Sequence, residues 1–274
     1  MQIDFNKFKK FLDEQNLSEK TKEVHLFSVK QFYKHFKKYE LNKNTILSYR
    51  TYLMENFSPK TTNLRLTGVN SYLKSIGQFE KLHVDALKIQ QKSFLENVIS
   101  EADYDFLKEA LKKDDDMNGY FLVRFLGATG ARVSEFCKFK VEHVKKGYFD
   151  IYGKGVKFRR IYIPKSLQEE ALQHFRQINK NSGYIFTTLR GNEPYSPRTV
   201  SAKLKAYAEK YGIDKNVVYP HSFRHRYAKS FIERYKDISF LADLLGHESI
   251  DTTRIYVRKT ATEQKEIVDN IVTW

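Results

Sequence analysis

From Ser18 onward the chain reads as helix. A charged first turn follows Ser18, and Leu26, Val29, Tyr33 and Phe36 then recur at the spacing that puts apolar side chains on one helical face. Ser58-Pro59 predicts another helix start, since proline at the first helical position lacks only an N–H that has no partner there. Leu66, Val69, Leu73 and Ile76 line one face of that helix, and Gly77 supplies its stop. The opposite face carries Lys60, Thr61, Thr62 and Arg65, which fits either a solvated surface or contact with a polyanionic backbone. Periodicity weakens over residues 78–98, so a linker is expected at 83–98 between an all-helical region, 1–82, and a larger region, 99–274.

Ser100-Glu-Ala-Asp103 resembles a capping box opening onto Phe106 and Leu107. Near residues 147–164 the period changes. Tyr148–Tyr152 and Phe158–Ile163 have the aromatic and β-branched content of strands, and Gly153-Lys154-Gly155 between them reads as a hairpin turn. Helical patterns resume near Ser166 and run from Pro197 almost to the end, with a tail at 259–274. The expected fold class is mainly α: a small all-helical domain, then a mixed α/β domain that is mostly helical with a small antiparallel sheet.

Composition adds a partner class. The 274 residues carry a net charge of +15, with 41% hydrophobic and 15% aromatic content, so cores can form beneath a strongly basic surface. Such charge favours an anionic polymer over a membrane surface, because no long apolar run or lipidation signal is present. Cys137 is the single cysteine, which excludes an intramolecular disulfide or a cysteine zinc cluster, and its apolar neighbours make it a small core residue. The N-terminus carries no signal-peptide apolar core, and a cytoplasmic location is the default expectation.

The candidate chemistry lies in one C-terminal stretch and one upstream arginine. His221 and Arg224 share a helical face, His225 is one turn from His221, Gly246-His247 reads as a helix end, and Tyr256 follows. Each has a bland alternative: Arg132 as a solvated arginine, the histidines as structural groups or an i, i+4 zinc pair, Tyr256 as a core residue. The zinc reading lacks the internal glutamate of a His-Glu-x-x-His motif. Together, cations around a phosphate beside a phenol suit phosphoryl transfer to tyrosine without a metal, and on a basic chain they point to DNA.

Four boxes carry a specific resemblance: Thr129-Gly-Ala-Arg-Val-Ser-Glu135, Gly153-Lys-Gly155, His221-Ser-Phe-Arg-His225, and Leu245-Gly-His247 with Thr252-Thr-Arg-Ile-Tyr256. In this order the chain resembles the tyrosine recombinases of the phage integrase and Xer family. Phe223 stands where leucine is commoner in that family. The resemblance implies an N-terminal core-binding domain and an active set of Arg132, Lys154, His221, Arg224, His247 and Tyr256, with Glu135 in support. Tyr256 would attack the scissile phosphate while Arg132, Arg224 and His247 hold its oxygens. His221 would be the proton partner of the phenol, and Lys154 would protonate the leaving 5′-oxygen. It further implies a 3′-phosphotyrosyl intermediate, a Holliday junction, and a homo-tetramer on two double-stranded DNA sites with paired inverted half-sites. The protomer would be weakly associated or monomeric without DNA, and no cofactor or metal is expected. The tail, with Ile267, Val268, Ile271, Val272 and Trp274, would either fold back on its own domain or dock on a neighbouring protomer.

Two alternatives are a type IB topoisomerase and a DNA-binding regulator without catalysis; a metal-dependent hydrolase is a further one. The short basic N-terminal module and the lack of larger clamps favour the recombinase. On the resemblance, the core-binding region is expected to begin almost at the first residue, with no separate arm-binding domain, which favours simple paired inverted half-sites.

Overall fold

Short polar side chains set where the N-terminal helices begin. Asp4 accepts the N–H groups of Asn6 and Lys7, Ser18 that of Thr21, Asn42 that of Thr45 and Ser58 that of Thr61, so each start has a donor satisfied that the helix itself leaves open. The helices so begun are α1 (Phe5–Glu14), α2 (Glu19–Phe36), α3 (Lys43–Asn56) and α4 (Pro59–Ser75), followed by the single turn α5 (Phe79–Leu82). This is a computed structural model that describes residues 3–89, 97–152, 158–188, 193–247, 249–257 and 261–272, without the side chains of 261–264. The chain divides into two compact units, Met1–Gln91 and Lys92–Trp274.

Within the first unit Phe8, Leu12, Val29, Phe32, Ile46, Tyr49, Leu53, Leu66, Val69 and Leu73 form one buried cluster. α4 lies directly against α2 at Gly68, where an added Cβ would stand 2.5 Å from Ser28 Cβ. Part of the expected linker is held to the first unit. Asn70 grips Val84 through Nδ2 to O (2.9 Å) and N to Oδ1 (3.3 Å), and Asn63 grips Leu87 in the same way at 2.9 and 2.7 Å. These asparagines lie two turns apart on one face of α4, so each amide imitates a peptide group and holds an extended segment against the helix. Val84 is buried there. Residues 83–89 therefore belong to the first unit; 90–96 lie outside the described residues.

The second unit is built around α7 (Met117–Thr129), which buries Tyr120, Phe121, Leu122, Val123, Phe125 and Leu126, the all-round apolarity of a central helix. α6 (Glu101–Lys113) precedes it, capped by Ser100 on the Asp103 N–H; Leu107 is buried whereas Phe106 is exposed. α8 (Val133–Phe136) and α9 (Val141–Lys146) lead to β1 (Tyr148–Tyr152) and β2 (Phe158–Tyr162), antiparallel with Tyr148 opposite Tyr162 and Tyr152 opposite Phe158. The expected turn at 153–155 lies outside the described residues. Then come α10 (Lys165–Gln177), α11 (Pro197–Lys210), α12 (Pro220–Tyr235), α13 (Ile238–Leu245), α14 (Ile250–Val257) and α15 (Ala261–Ile271). The chain is thus mostly helical with a small two-stranded sheet. Cys137 is buried in this core, and burial pushes its thiol up to about 11. On α15, Val268 and Ile271 are exposed, as is Val272 just beyond it. No described helix is long and apolar enough to cross a membrane.

The α2–α4 contact at Gly68 leaves no volume for a branched side chain. Gly68→Val should destabilise the first unit by roughly 1–3 kcal/mol through overpacking, read as a lower urea midpoint; an unchanged midpoint would show that α2 yields at no cost.

Candidate active site

The site is organised by the end of one helix. α13 starts where Asp237 accepts the Phe240 N–H and stops at Gly246, which adopts φ +60. The last carbonyls of a helix have no intrahelical partner and carry its negative dipole end. Here arginines fill the gap. Leu245 O receives Arg159 NH1 at 2.6 Å and Arg224 NH2 at 2.7 Å, and Gly246 O receives Arg132 NH2 at 2.9 Å. Gly246 is required twice over, by its left-handed backbone and because a Cβ there would lie 2.4 Å from Arg159 Cδ.

These guanidinium groups arrive from separate elements. Arg132 precedes α8, and Glu135 accepts from both its backbone N–H (2.7 Å) and its NH1 (3.0 Å). Glu135 also receives Arg159 NH1 at 3.3 Å. Arg224, on α12, is 1% exposed and donates NH1 to Gly130 O at 2.6 Å. Burial holds the Arg159 guanidinium down at about 10, opposed by Glu135 and assisted by Arg224 and Arg132. Arg224 is lowered too, by desolvation first and then by Arg132. The cluster stays cationic, with a single carboxylate against its three guanidiniums among the described contacts. The Arg132 side chain is 40% exposed, so the excess positive charge has an open side.

The imidazoles and the phenol complete the cluster. Tyr256 on α14 is 5% exposed. Burial raises its pKa, whereas charge and a hydrogen bond from Arg224, then Arg132, pull it back. The His247 ring lies nearly parallel to the phenol, centroids 5.9 Å apart, and the His225 ring is tilted at 5.4 Å. His247 Nε2 is 3.0 Å from Arg224 NH2, and Nδ1 is 2.8 Å from Thr253 Oγ1. Burial, then Arg224, Arg132, Arg159 and His221, hold His247 down to about 4; burial, His221 and Arg224 do the same for His225. Both rings are neutral at pH 7. Among the described residues no three His, Cys, Asp or Glu side chains gather as a metal ion would need.

Of the residues singled out from sequence, Arg132, Glu135, Arg224, His247 and Tyr256 come together. His221 does not pair with the phenol as expected. It stacks on His225 at 5.6 Å, because Tyr256 meets α12 one turn further along, at His225. His221 itself is exposed; desolvation of its inner side, Arg224 and Arg132 lower its pKa. Lys154 lies outside the described residues. Sequence reasoning missed Arg159 and Thr253. Strand alternation carried a signal for the first: Arg159 shares the inward parity of Ile161 and Ile163, all buried, and a charge at that parity needs a buried partner.

The candidate DNA-facing residues of α4 separate. Lys60 is exposed, and the Thr61 hydroxyl lies 3.1 Å from Ser58 Oγ. Arg65 sits over the Phe27 ring at 4.2 Å. Thr62 is withdrawn from the set: it is fully buried, and its hydroxyl donates to Leu53 O at 3.1 Å, tying α4 to the end of α3.

Comparison with known proteins bears on this arrangement. The model of the phage integrase family matches residues 97–263. The chain is 35% identical over 223 residues to tyrosine recombinase XerA of Pyrococcus furiosus, covering 78% of this chain and 75% of that protein. With XerA of Pyrococcus horikoshii it shares 32% identity over 252 residues, 83% and 87% of the two chains. Among solved structures it is similar to XerH bound to its difH substrate before cleavage, with TM-score 0.71 at 16% identity, covering 100% of this chain and 85% of that one. It is also similar to a lambda integrase dimer bound to a core site, TM-score 0.72 at 18% identity, covering 92% and 75%. At those identities the structural likeness speaks to the fold.

Removing Arg159 takes one of two arginine partners from Glu135 and one of two donors from Leu245 O, while Arg132 and Arg224 keep their bonds to them. Arg159→Met should therefore destabilise the second unit by about 1–3 kcal/mol, checked by urea unfolding; a loss under about 0.5 kcal/mol would make the arginine dispensable to the cluster. The neutral histidines give a pH signature. His225 and His247 sit at about 4 when folded against 6.5 ordinarily. Between these values the unfolded chain binds more protons, so stability is lost as pH falls from about 6.5 towards 4. The urea midpoint should drop on that interval, and His225→Phe should flatten the slope; an equal slope in the variant would assign it to other groups.

Proposed function

The chain belongs to the phage integrase family of tyrosine recombinases, and from that premise we propose that it cleaves and rejoins DNA at specific sites through a covalent bond between Tyr256 and a 3′-phosphate. The observation that carries this reading is the convergence of a buried phenol with Arg224, Arg132 and His247 around one carbonyl-lined helix end. Relatives named as tyrosine recombinases and neighbours solved on DNA support it.

Attack by the tyrosyl oxygen builds negative charge on the non-bridging oxygens of the phosphate. Arg132 and Arg224 are suited to fork those oxygens, and both are held before substrate arrives, so little reorganisation accompanies the reaction. His247 stands beside them to donate through Nε2. The P–O5′ bond breaks as the P–O(Tyr) bond forms; the phenolic proton passes to a neutral imidazole, of which His225 is in ring contact and His221 next to it. The leaving 5′-oxygen takes a proton from a general acid, a part proposed for Lys154 on the strength of the family motif. The phosphotyrosyl linkage conserves the bond's free energy, so a 5′-hydroxyl of another strand can reseal it without a nucleotide cofactor.

Strand exchange through a Holliday junction in a tetramer on two DNA sites with paired inverted half-sites belongs to the same proposal. So does a DNA-backbone contact by Lys60, Thr61 and Arg65 of the first unit. The exposed Val268, Ile271 and Val272 offer a surface for a neighbouring protomer.

The test uses a nicked duplex bearing the sequence that the protein selects from a random library. A covalent adduct should form and disappear in Tyr256→Phe; an adduct that survives would place the nucleophile elsewhere. Arg132→Ala and Arg224→Ala should retain DNA binding while slowing adduct formation about a hundredfold, from the roughly 2.7–4 kcal/mol attached to one preorganised donor. Equally efficient relaxation of a supercoiled plasmid lacking the site would instead indicate a topoisomerase.

A further inference from the structure

The hydrogen bonds of His247 are of opposite kind. A guanidinium has no lone pair to offer, so with Arg224 NH2 at 3.0 Å the Nε2 atom accepts. Nδ1 then carries the proton and donates to Thr253 Oγ1 at 2.8 Å. A phosphate drawn in by Arg224 presents only acceptor oxygens, so Nε2 has to become a donor for His247 to contribute. For the ring to do this without gaining charge, Nδ1 must give up its proton and become an acceptor in turn.

Thr253 is the residue placed to allow both states. It is fully buried, it sits one helical turn before Tyr256 on α14, and its hydroxyl is both donor and acceptor. A backbone carbonyl or a carboxylate at the same place would accept only, and would lock the proton on Nδ1. We propose that Thr253 is a positioning residue that sets the tautomer of His247, its hydroxyl accepting from Nδ1–H in the DNA-free protein and donating to Nδ1 once Arg224 NH2 has turned its N–H from Nε2 to the scissile phosphate and Nε2 donates to that phosphate as well. The ring loses one proton at Nδ1 and gains one at Nε2, so its charge is unchanged and exchange with water suffices. The pKa of the ring, held down at about 4, disfavours the doubly protonated alternative at pH 7. Because Thr253 and Tyr256 share one turn of α14, the contact also ties the phenol's helix to the imidazole. This inference rests on the recombinase reading above, since it needs a phosphate in the site.

The test has two independent arms on the full chain. Ring-nitrogen NMR of the DNA-free protein at pH 7 should show His247 protonated at Nδ1 and unprotonated at Nε2; the reverse pattern overturns the inference. Adduct formation on the nicked duplex should slow about 10–100-fold in Thr253→Val, by analogy with the loss of a residue that orients a metal-bound imidazole. Thr253→Ser should restore the rate to within about threefold while leaving DNA binding as in wild type. A wild-type rate in Thr253→Val, or a serine variant as slow as the valine one, overturns it. If Thr253→Val fails to fold, the serine variant and the wild-type NMR still decide. Absence of any adduct from wild-type protein would instead sink the recombinase reading, and the NMR arm would still judge the hydrogen bond.

Discussion

The end of α13 is the constraint on which the rest of the second unit depends. Two consecutive carbonyls, of Leu245 and Gly246, receive guanidinium groups from three different elements. Helix-end carbonyls suit this task because they have partial negative charge and open lone pairs yet carry no full charge. A set of carboxylates would neutralise the arginines outright. Carbonyls plus the one carboxylate of Glu135 hold them in place and leave their positive charge available to an incoming anion.

Holding buried cations this way places demands on distant parts of the fold. Arg224 reaches Gly130 across 94 residues, and Arg132 reaches Gly246 across 114. The aromatic core around α7 fixes the end of that helix at Gly130; the sheet presents Arg159 inward; α12 carries Arg224 and His225 on adjacent positions. A shift in any of these elements would separate a guanidinium from its carbonyl in an interior where unpaired charge is costly. The same geometry keeps both half-buried imidazoles neutral, first by desolvation and then because neighbouring cationic groups oppose further positive charge. His247 is thereby available as a neutral hydrogen-bonding group whose proton can sit on either nitrogen.

The first unit depends on a different device. Its helices are started by polar caps and close-packed at Gly68, and its trailing segment is held by Asn63 and Asn70 acting as substitute peptide groups. Amides two turns apart on a helix match backbone groups three residues apart on an extended chain, here Val84 and Leu87, so this segment is held without a strand partner. Composition alone shows such a segment as polar and aperiodic, which is why it reads as linker.

The sequence by itself determined the helix starts at Ser18, Ser58 and Ser100, the strand pair at 148–163, the core role of Cys137 and, through its motifs, the family and most of the clustered residues. These follow from spacing, capping chemistry and residue type, all local along the chain. Tertiary structure alone decided that Thr62 faces inward and that His225 rather than His221 meets Tyr256. It also brought Arg159 and Thr253 into the site. The physical reason is that a hydrogen bond to a carbonyl or an imidazole 86 or 6 residues away leaves no local period in the sequence. Which of two neighbouring histidines faces a phenol depends on how two helices cross, and that is settled only when the whole core packs.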